Sequence, residues 1–255
     1  MNYAKYIQNE RRSHNMSYDY SENILVQESA GNLLQNELGW DVKFAYNTEV
    51  LGKNGTFGRE SYRDILLTRY FRDALKKLNP WITENQMDEA QKALEHRLST
   101  SSLLQINEEK YFLIREGIPV TVKKPNGQTE TKKAAVLDFQ NPDNNYFLAI
   151  KELKIHGDLY RRRTDIVGFV NGIPLLFVEL KKNTVDVQNA YDDNYTDYQD
   201  TIPHLFYYNA FLMLSNGTEA KVGTLGSKYE FFHEWKRLAE EDQGSVALET
   251  MLRGI

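Results

Sequence analysis

Two apolar runs, DIVGFV (165–170) and IPLLFVEL (173–180), stand on either side of Asn171-Gly172. This is the feature that most limits what the chain can fold into. β-Branched and aromatic residues favour strands, and Asn-Gly supplies the positive φ angles of a tight hairpin turn. The first run begins with a carboxylate, Asp165, and the second nearly ends with another, Glu179, followed by Leu180 and Lys181. The hairpin therefore carries charge at the open ends of two strands that are otherwise apolar.

The rest of the chain sorts around it. Residues 1–20 read as a flexible N-terminal arm. An apolar pattern at Ile24, Leu25, Ala30, Leu33, Leu34 and Leu38 reads as an amphipathic helix, with Ser21 as N-cap and Gly39 as its stop. Trp40–Tyr46 alternates like a short strand. Ile65–Leu78 and Glu84–Leu98 read as helices split by Asn79-Pro80, with a further helix over 99–108. YFLIREGIPVTV, AAVLDF and NYFLAIKELKI then read as strands, Thr184–Tyr198 as a helix, and LFYYNAFLMLS and EAKVGTL as a strand pair around Asn216-Gly217. EFFHEWKRL and SVALETMLRGI read as helical. Helices first, then strands with one helix between two hairpins, predict an α/β or α+β fold with a mixed sheet.

Composition excludes several classes. No apolar run approaches the roughly 18–20 residues that cross a bilayer, and the polar first twenty residues hold no secretory apolar segment. The chain has no cysteine, which excludes disulfides and thiolate metal sites and fits a reducing cytoplasm. Gly52-Lys53 is followed by Asn54, so no P-loop is present and ATP would not bind that way. The five histidines are scattered without metal-ligand spacing. Net charge is −5, so contact with a polyanion must be local. One window supplies it: Lys151 to Lys182 holds seven Lys or Arg against four Asp or Glu.

Asp165 and Glu179, with thirteen residues between them, suit divalent-metal chemistry. Hydrolysis of a phosphodiester needs a cation that neutralises charge and lowers the pKa of an attacking water. Magnesium takes oxygen ligands, commonly one or two carboxylates with waters and phosphate oxygens. Lys181, two residues past Glu179, lies on the same strand face and could orient the nucleophile or stabilise developing charge. The plain structural alternative is a strand-end salt bridge of Asp165 or Glu179 with Lys181 or Arg163. Register separates the two. A simple two-residue hairpin pairs Asp165 with Val178, which turns the carboxylates to opposite faces. A three-residue loop or a bulge pairs Asp165 with Glu179.

At GDLYRRRTDIVGFVNGIPLLFVELKK the sequence resembles the N-terminal region of the restriction (R) subunit of type I restriction–modification enzymes, a PD-(D/E)xK nuclease family. QESAGNLLQNELGW, GRESYRDILLTRYFRDALKKLNP, YFLIREGIPV, DFQNPDNNYFLAIKEL and DTIPHLFYYNAFLMLSNGTEAKVGTLGSKYEFFHEWK match in the same order. The resemblance implies a restriction-endonuclease-like core over 21–240 with a helical insertion at about 62–105. Residues 241–255 would begin the linker or helix toward motor domains absent from this chain. It implies catalytic roles for Asp165, Glu179 and Lys181, and Mg²⁺ on Asp165, Glu179 and the Leu180 carbonyl, with Glu28 a further candidate ligand. Arg161, Arg162, Arg163 and Lys182 would contact DNA.

The family's Gln-x-x-x-Tyr motif is matched here by Asn194 and Tyr198, with Asn for Gln and one extra residue of spacing from Glu179. The implied activity is endonucleolytic cleavage of double-stranded DNA in the cytoplasm, with ATP used only by the full-length protein. The implied partners are the modification (methyltransferase) and specificity subunits, and no membrane. A catalytically degenerate DNA-docking or assembly module is the alternative.

Overall fold

The structure is a computed structural model that describes residues 26–97, 100–234 and 247–254. The expected N-terminal arm and the Ser21 cap lie outside the described residues. Helix α1 runs through 26–36. Strands β1 (Asp41–Phe44), β4 (Phe147–His156), β5 (Arg161–Val170), β6 (Ile173–Leu180), β7 (Phe211–Ser215), β8 (Ala220–Gly223) and β9 (His233–Glu234) form one seven-stranded mixed sheet in that order. β1 with β4 and β6 with β7 are parallel; the other neighbours are antiparallel. The mixed α/β architecture is the one the element order predicts.

β5 and β6 lie inside this sheet, so both their faces need apolar cover. One face carries Ala149, Ile166, Val178, Leu180 and Met213, packed under Leu33 and Leu34 of α1 and Leu248, Met251 and Leu252 of α6 (Ala247–Arg253). The other face carries Ile150, Val167, Phe177, Leu212 and Leu214, packed against Tyr195, Tyr198 and Phe206. Between β1 and β4 stand α2 (Thr68–Leu78), α3 (Glu84–Glu95), α4 (Leu103–Glu116) and a separate hairpin, β2 (Ile118–Lys123) with β3 (Thr129–Ala134).

Three expectations need correction. AAVLDF is not a strand: β3 ends at Ala134, where Asn79 takes the Ala135 main chain and Asp138 accepts the N–H of Asn141 in a turn. YFLIRE is the last part of α4, not a strand; β2 begins only at Ile118. Ser102 and Gln105 form a capping box at the helix start, Ile106, Lys110 and Ile114 fall on one buried face, and Gly117 at φ 87° ends it. Lys110 is fully buried there because its ammonium caps α3, donating to the carbonyls of Ala93 and His96. EFFHEWKRL does not open as a helix either. Tyr229–Phe231 is a single 3₁₀ turn and His233–Glu234 pairs with β8 as β9. That covers an edge β8 would otherwise leave open, and it buries Phe232 beside Tyr191 and Tyr195. Residues 235–246 lie outside the described residues.

The central hairpin resolves the register question. Val170 opposes Ile173, so the turn has two residues, with Asn171 and Gly172 at φ 52° and 80°. Phe169 opposes Pro174, but Gly168 opposes Leu176. Leu175 is therefore an extra residue, a β-bulge, beside a proline that has no N–H for the ladder. From there Val167 opposes Phe177 and Ile166 opposes Val178, which sets Asp165 against Glu179 as the next pair.

The turn is anchored as well as tight. Asn171, 2% exposed, donates from Nδ2 to the Val136 carbonyl at 2.9 Å, and its Oδ1 accepts from the Tyr146 N–H at 2.8 Å. A Cβ on Gly172 would stand 2.6 Å from the Leu67 carbonyl oxygen and 2.8 Å from the Phe71 nitrogen. Gly172→Ala adds that clash to a left-handed φ and should destabilise the fold by about 2 kcal/mol or more, read as a lowered urea midpoint at unchanged slope. An unchanged midpoint would contradict this account of the turn.

Candidate active site

The bulge brings together what the sequence separates. Asp165 Oδ2 accepts from the main-chain N–H of Leu180 at 2.7 Å, and the Glu179 carboxylate faces the main-chain N–H of Asp165. Each acid is thus held by the other's strand. Glu179 is 3% exposed, and its Oε2 is buried with no hydrogen-bond partner. Asp165 is partly exposed, so the pair opens to solvent on the Asp165 side.

Electrostatics mark the pair as incomplete. Burial, then the Asp165 charge, pushes Glu179 well above the usual carboxylate range, with Lys181 opposing. Burial also pushes Asp165 up to about 6, against the Leu180 N–H, while Glu152 adds repulsion. Lys181 is half-buried at the same end of the hairpin. Its Nζ donates to Asn194 Oδ1 rather than closing a salt bridge with either acid.

Asn194 lies on a π-helical turn, Ala190–Tyr195, that runs straight into α5 (Thr196–Thr201). A π turn holds one residue more than an α turn, matching the extra residue of spacing noted in the sequence. Asn194 Nδ2 donates to Tyr198 Oη at 3.4 Å, and Tyr198 Oη donates to the Arg163 carbonyl at 3.0 Å. Burial, then the nearby Glu179 charge, raises the Tyr198 phenol and keeps it a donor.

The other sequence candidates separate. Glu28 is half-exposed and pairs with the buried Lys151 ammonium. Its helix neighbour Gln27, 5% exposed, is the residue that reaches the site, donating to Glu152 Oε1 at 3.0 Å and to the Asp165 carbonyl at 3.3 Å. Arg162 grips Asp197 with two nitrogens. Arg163 pairs with Glu152 at 2.6 Å. Arg161 is exposed, and Lys182 is half-buried just past the end of β6.

Sequence reasoning passed over Gln27 and Glu152. Glu152 sits at φ 57° inside β4, opposite Asp165, between the pairs Lys151–Ile166 and Leu153–Thr164. A left-handed glutamate in a strand is strained, and such strain concentrates at functional sites. Its only sequence signal is an acid in the apolar alternation of FLAIKELKI. Among the described residues no three His, Asp or Glu side chains form a metal-holding group. A cation here would take the Asp165–Glu179 pair and find its other ligands in backbone oxygen, water and substrate.

A mixed sheet with two carboxylates and a lysine at the end of its central hairpin is a restriction-endonuclease-like arrangement. A family profile described as "Type I restriction enzyme R protein N terminus" matches residues 19–231. The chain is 30% identical over 227 residues to the type I restriction enzyme HindI endonuclease subunit of Haemophilus influenzae, covering 86% of this chain and 21% of that protein. It is 29% identical over 231 residues to the putative type I restriction enzyme MjaIXP endonuclease subunit of Methanocaldococcus jannaschii, covering 89% and 21%. The chain belongs to the family of type I restriction enzyme R protein N termini. It spans about a fifth of the length of these relatives.

Stability should report the unpartnered acids. Both hold protons more tightly folded than unfolded. Without cations the folded chain therefore loses stability as pH rises from about 4 through about 6 and beyond, the reverse of a salt-bridged carboxylate. Glu179→Gln removes that penalty. In EDTA at pH 7 it should unfold with about 1–3 kcal/mol more stability than the parent, and the difference should vanish near pH 4. A less stable variant at pH 7 would contradict the burial of an unpaired charge.

Proposed function

We propose that this chain hydrolyses phosphodiester bonds of double-stranded DNA as the endonuclease segment of a type I restriction enzyme. The observation that carries the proposal is the Asp165–Glu179 pair, with its orphaned Oε2, set beside Lys181. Two buried like charges repel unless a cation lies between them, and an all-oxygen donor set suits Mg²⁺ rather than a soft metal. Asp165, Glu179 and the Leu180 carbonyl would hold it. When bound, Mg²⁺ supplies charge neutralisation and a more acidic water.

The chain's own groups do the rest. Asn194 holds the Lys181 ammonium at the open side of the pair, where it can orient a water or meet charge that develops on the phosphate. Tyr198 fixes Asn194 and, through the Arg163 carbonyl, the start of the Asp165 strand. The Glu152–Arg163 pair and Gln27 hold the neighbouring strand in its strained course.

The relatives are named endonuclease subunits of type I restriction enzymes. On that footing we place the chain in a complex with modification and specificity subunits, in the cytoplasm. ATP-driven translocation would belong to the remainder of a longer protein. Among the described residues no helix is long and apolar enough to cross a membrane. Asn194 in place of the family's glutamine is what favours the competing reading, a docking module without catalysis.

Cleavage of plasmid DNA by the assembled enzyme in Mg²⁺ separates the two. Glu179→Ala and Lys181→Ala should each lower cleavage about 100-fold or more while leaving ATP hydrolysis near the parent level. Calorimetry with Mn²⁺ should show binding that Glu179→Ala removes. Cleavage that persists in both variants would refute the site.

A further inference from the structure

Beyond the carboxylate pair, β5 continues backward to Arg161 along a hollow of about 540 Å³ lined by Tyr46, Tyr62, Lys154, His156 and Arg161 to Arg163. Its lining contains five cationic or titratable nitrogen side chains and no carboxylate. Among the described residues many surface cations pair with acids, as Arg72 does with Glu84 and Asp88. Here the arrangement differs. Lys154 Nζ lies 4.8 Å and the Arg163 guanidinium 4.5 Å from the Tyr46 ring centre. Lys154 also donates to the amide oxygen of Asn47 at 3.1 Å.

Arg162 and Arg163 have acid partners, Asp197 and Glu152. Among the described residues neither Lys154 nor Arg161 forms an ion pair with a carboxylate. Seats made of rings and amides fix a cation without cancelling its charge. The field is strong enough to act on a neighbour: burial, then Arg161, Arg59, Lys154 and Arg63, pull the His156 imidazole below its ordinary value. The His156 ring packs at 4.8 Å on Tyr62, which Arg59 flanks in turn.

We infer that this hollow binds a single-stranded stretch of nucleic acid, its phosphates on Lys154 and Arg161 beside the Tyr46 and Tyr62 rings. A positively charged groove interleaved with aromatic rings is the general recipe for holding a strand without reading sequence. The hollow is a shallow, open concavity, whereas a duplex presents its phosphates on a convex cylinder. Arg161 lies four strand residues from Asp165, about 13 Å at strand rise. A strand held in the hollow would therefore lead toward the carboxylate pair. That last connection rests on the nuclease reading; binding in the hollow does not, because it needs no metal.

The test is fluorescence anisotropy with the 255-residue chain in EDTA, using a labelled oligothymidylate, a duplex of equal length and a polyglutamate peptide. The oligothymidylate should bind tightest, with an affinity that falls as salt rises. Arg161→Ala and Lys154→Gln, both at positions that solvent reaches, should each weaken it about fivefold to tenfold and flatten the salt slope by about one. Tyr46→Leu should weaken it by a comparable factor at nearly unchanged slope.

Circular dichroism confirms that each variant is folded. Glu179→Gln should bind the oligonucleotide as well as the parent, so loss of cleavage with retained binding separates failure of the nuclease reading from failure of this one. Tighter binding of duplex or of polyglutamate would overturn the inference. So would affinity for the single strand that is indifferent to Arg161 and Lys154.

Discussion

One residue, Leu175, decides whether Asp165 and Glu179 meet. Side chains alternate along a strand, so register is a two-state variable, and a shift of one residue would turn every group on β6 to the other face. The two-residue turn at Asn171-Gly172 alone would leave the acids on opposite faces. The bulge shifts the register once, after the turn and before the acids. Leu175 is not wasted: its carbonyl accepts from the Ala210 N–H at 2.8 Å and from Asn209 Nδ2 at 3.3 Å, which secures the entry to β7. The site, the turn and the next parallel strand are thus fixed by one irregularity.

The cost of that convergence is electrostatic. Burying Glu179 beside a second carboxylate opposes folding, and the main-chain N–H groups and Lys181 offset it only in part. The nearest ammonium, Lys181, is turned to Asn194, and the third acid of the neighbourhood, Glu152, is occupied by Gln27 and Arg163. A purely structural role would favour closing the salt bridge. An arrangement that keeps the lysine on the amide, beside the acids but not bonded to them, suits a site that takes a cation and a phosphate.

Much of this was legible in the sequence because local chemistry dictated it. Asn-Gly specified the turn, the apolar runs specified the strands, and the acids at their ends specified where to look. The bulge was required by the chemistry but not located, although Pro174, a residue poorly suited to an inner strand, marks the place. The failures have physical causes too. YFLIRE reads as a strand by composition but is committed to helix by the upstream capping box of Ser102 and Gln105 and by the burial of Lys110. EFFHEWKRL has helical spacing, and at His233–Glu234 the open edge of β8 overrides it. Gln27 and Glu152 could not be placed, since their roles depend on α1 and β4 meeting across more than a hundred residues of chain.

The central claim is that buried Glu179 and Asp165 at its open edge form one like-charged pair that a divalent cation completes. Carbon-detected NMR of the Asp and Glu carboxyl carbons, titrated with and without Mg²⁺, tests it most directly. Without the cation both resonances should titrate above the ordinary carboxylate range, each curve distorted by the other group. With Mg²⁺ both should move to lower pH and report a single bound species. Two independent titrations at ordinary carboxylate values, unmoved by Mg²⁺, would contradict the account.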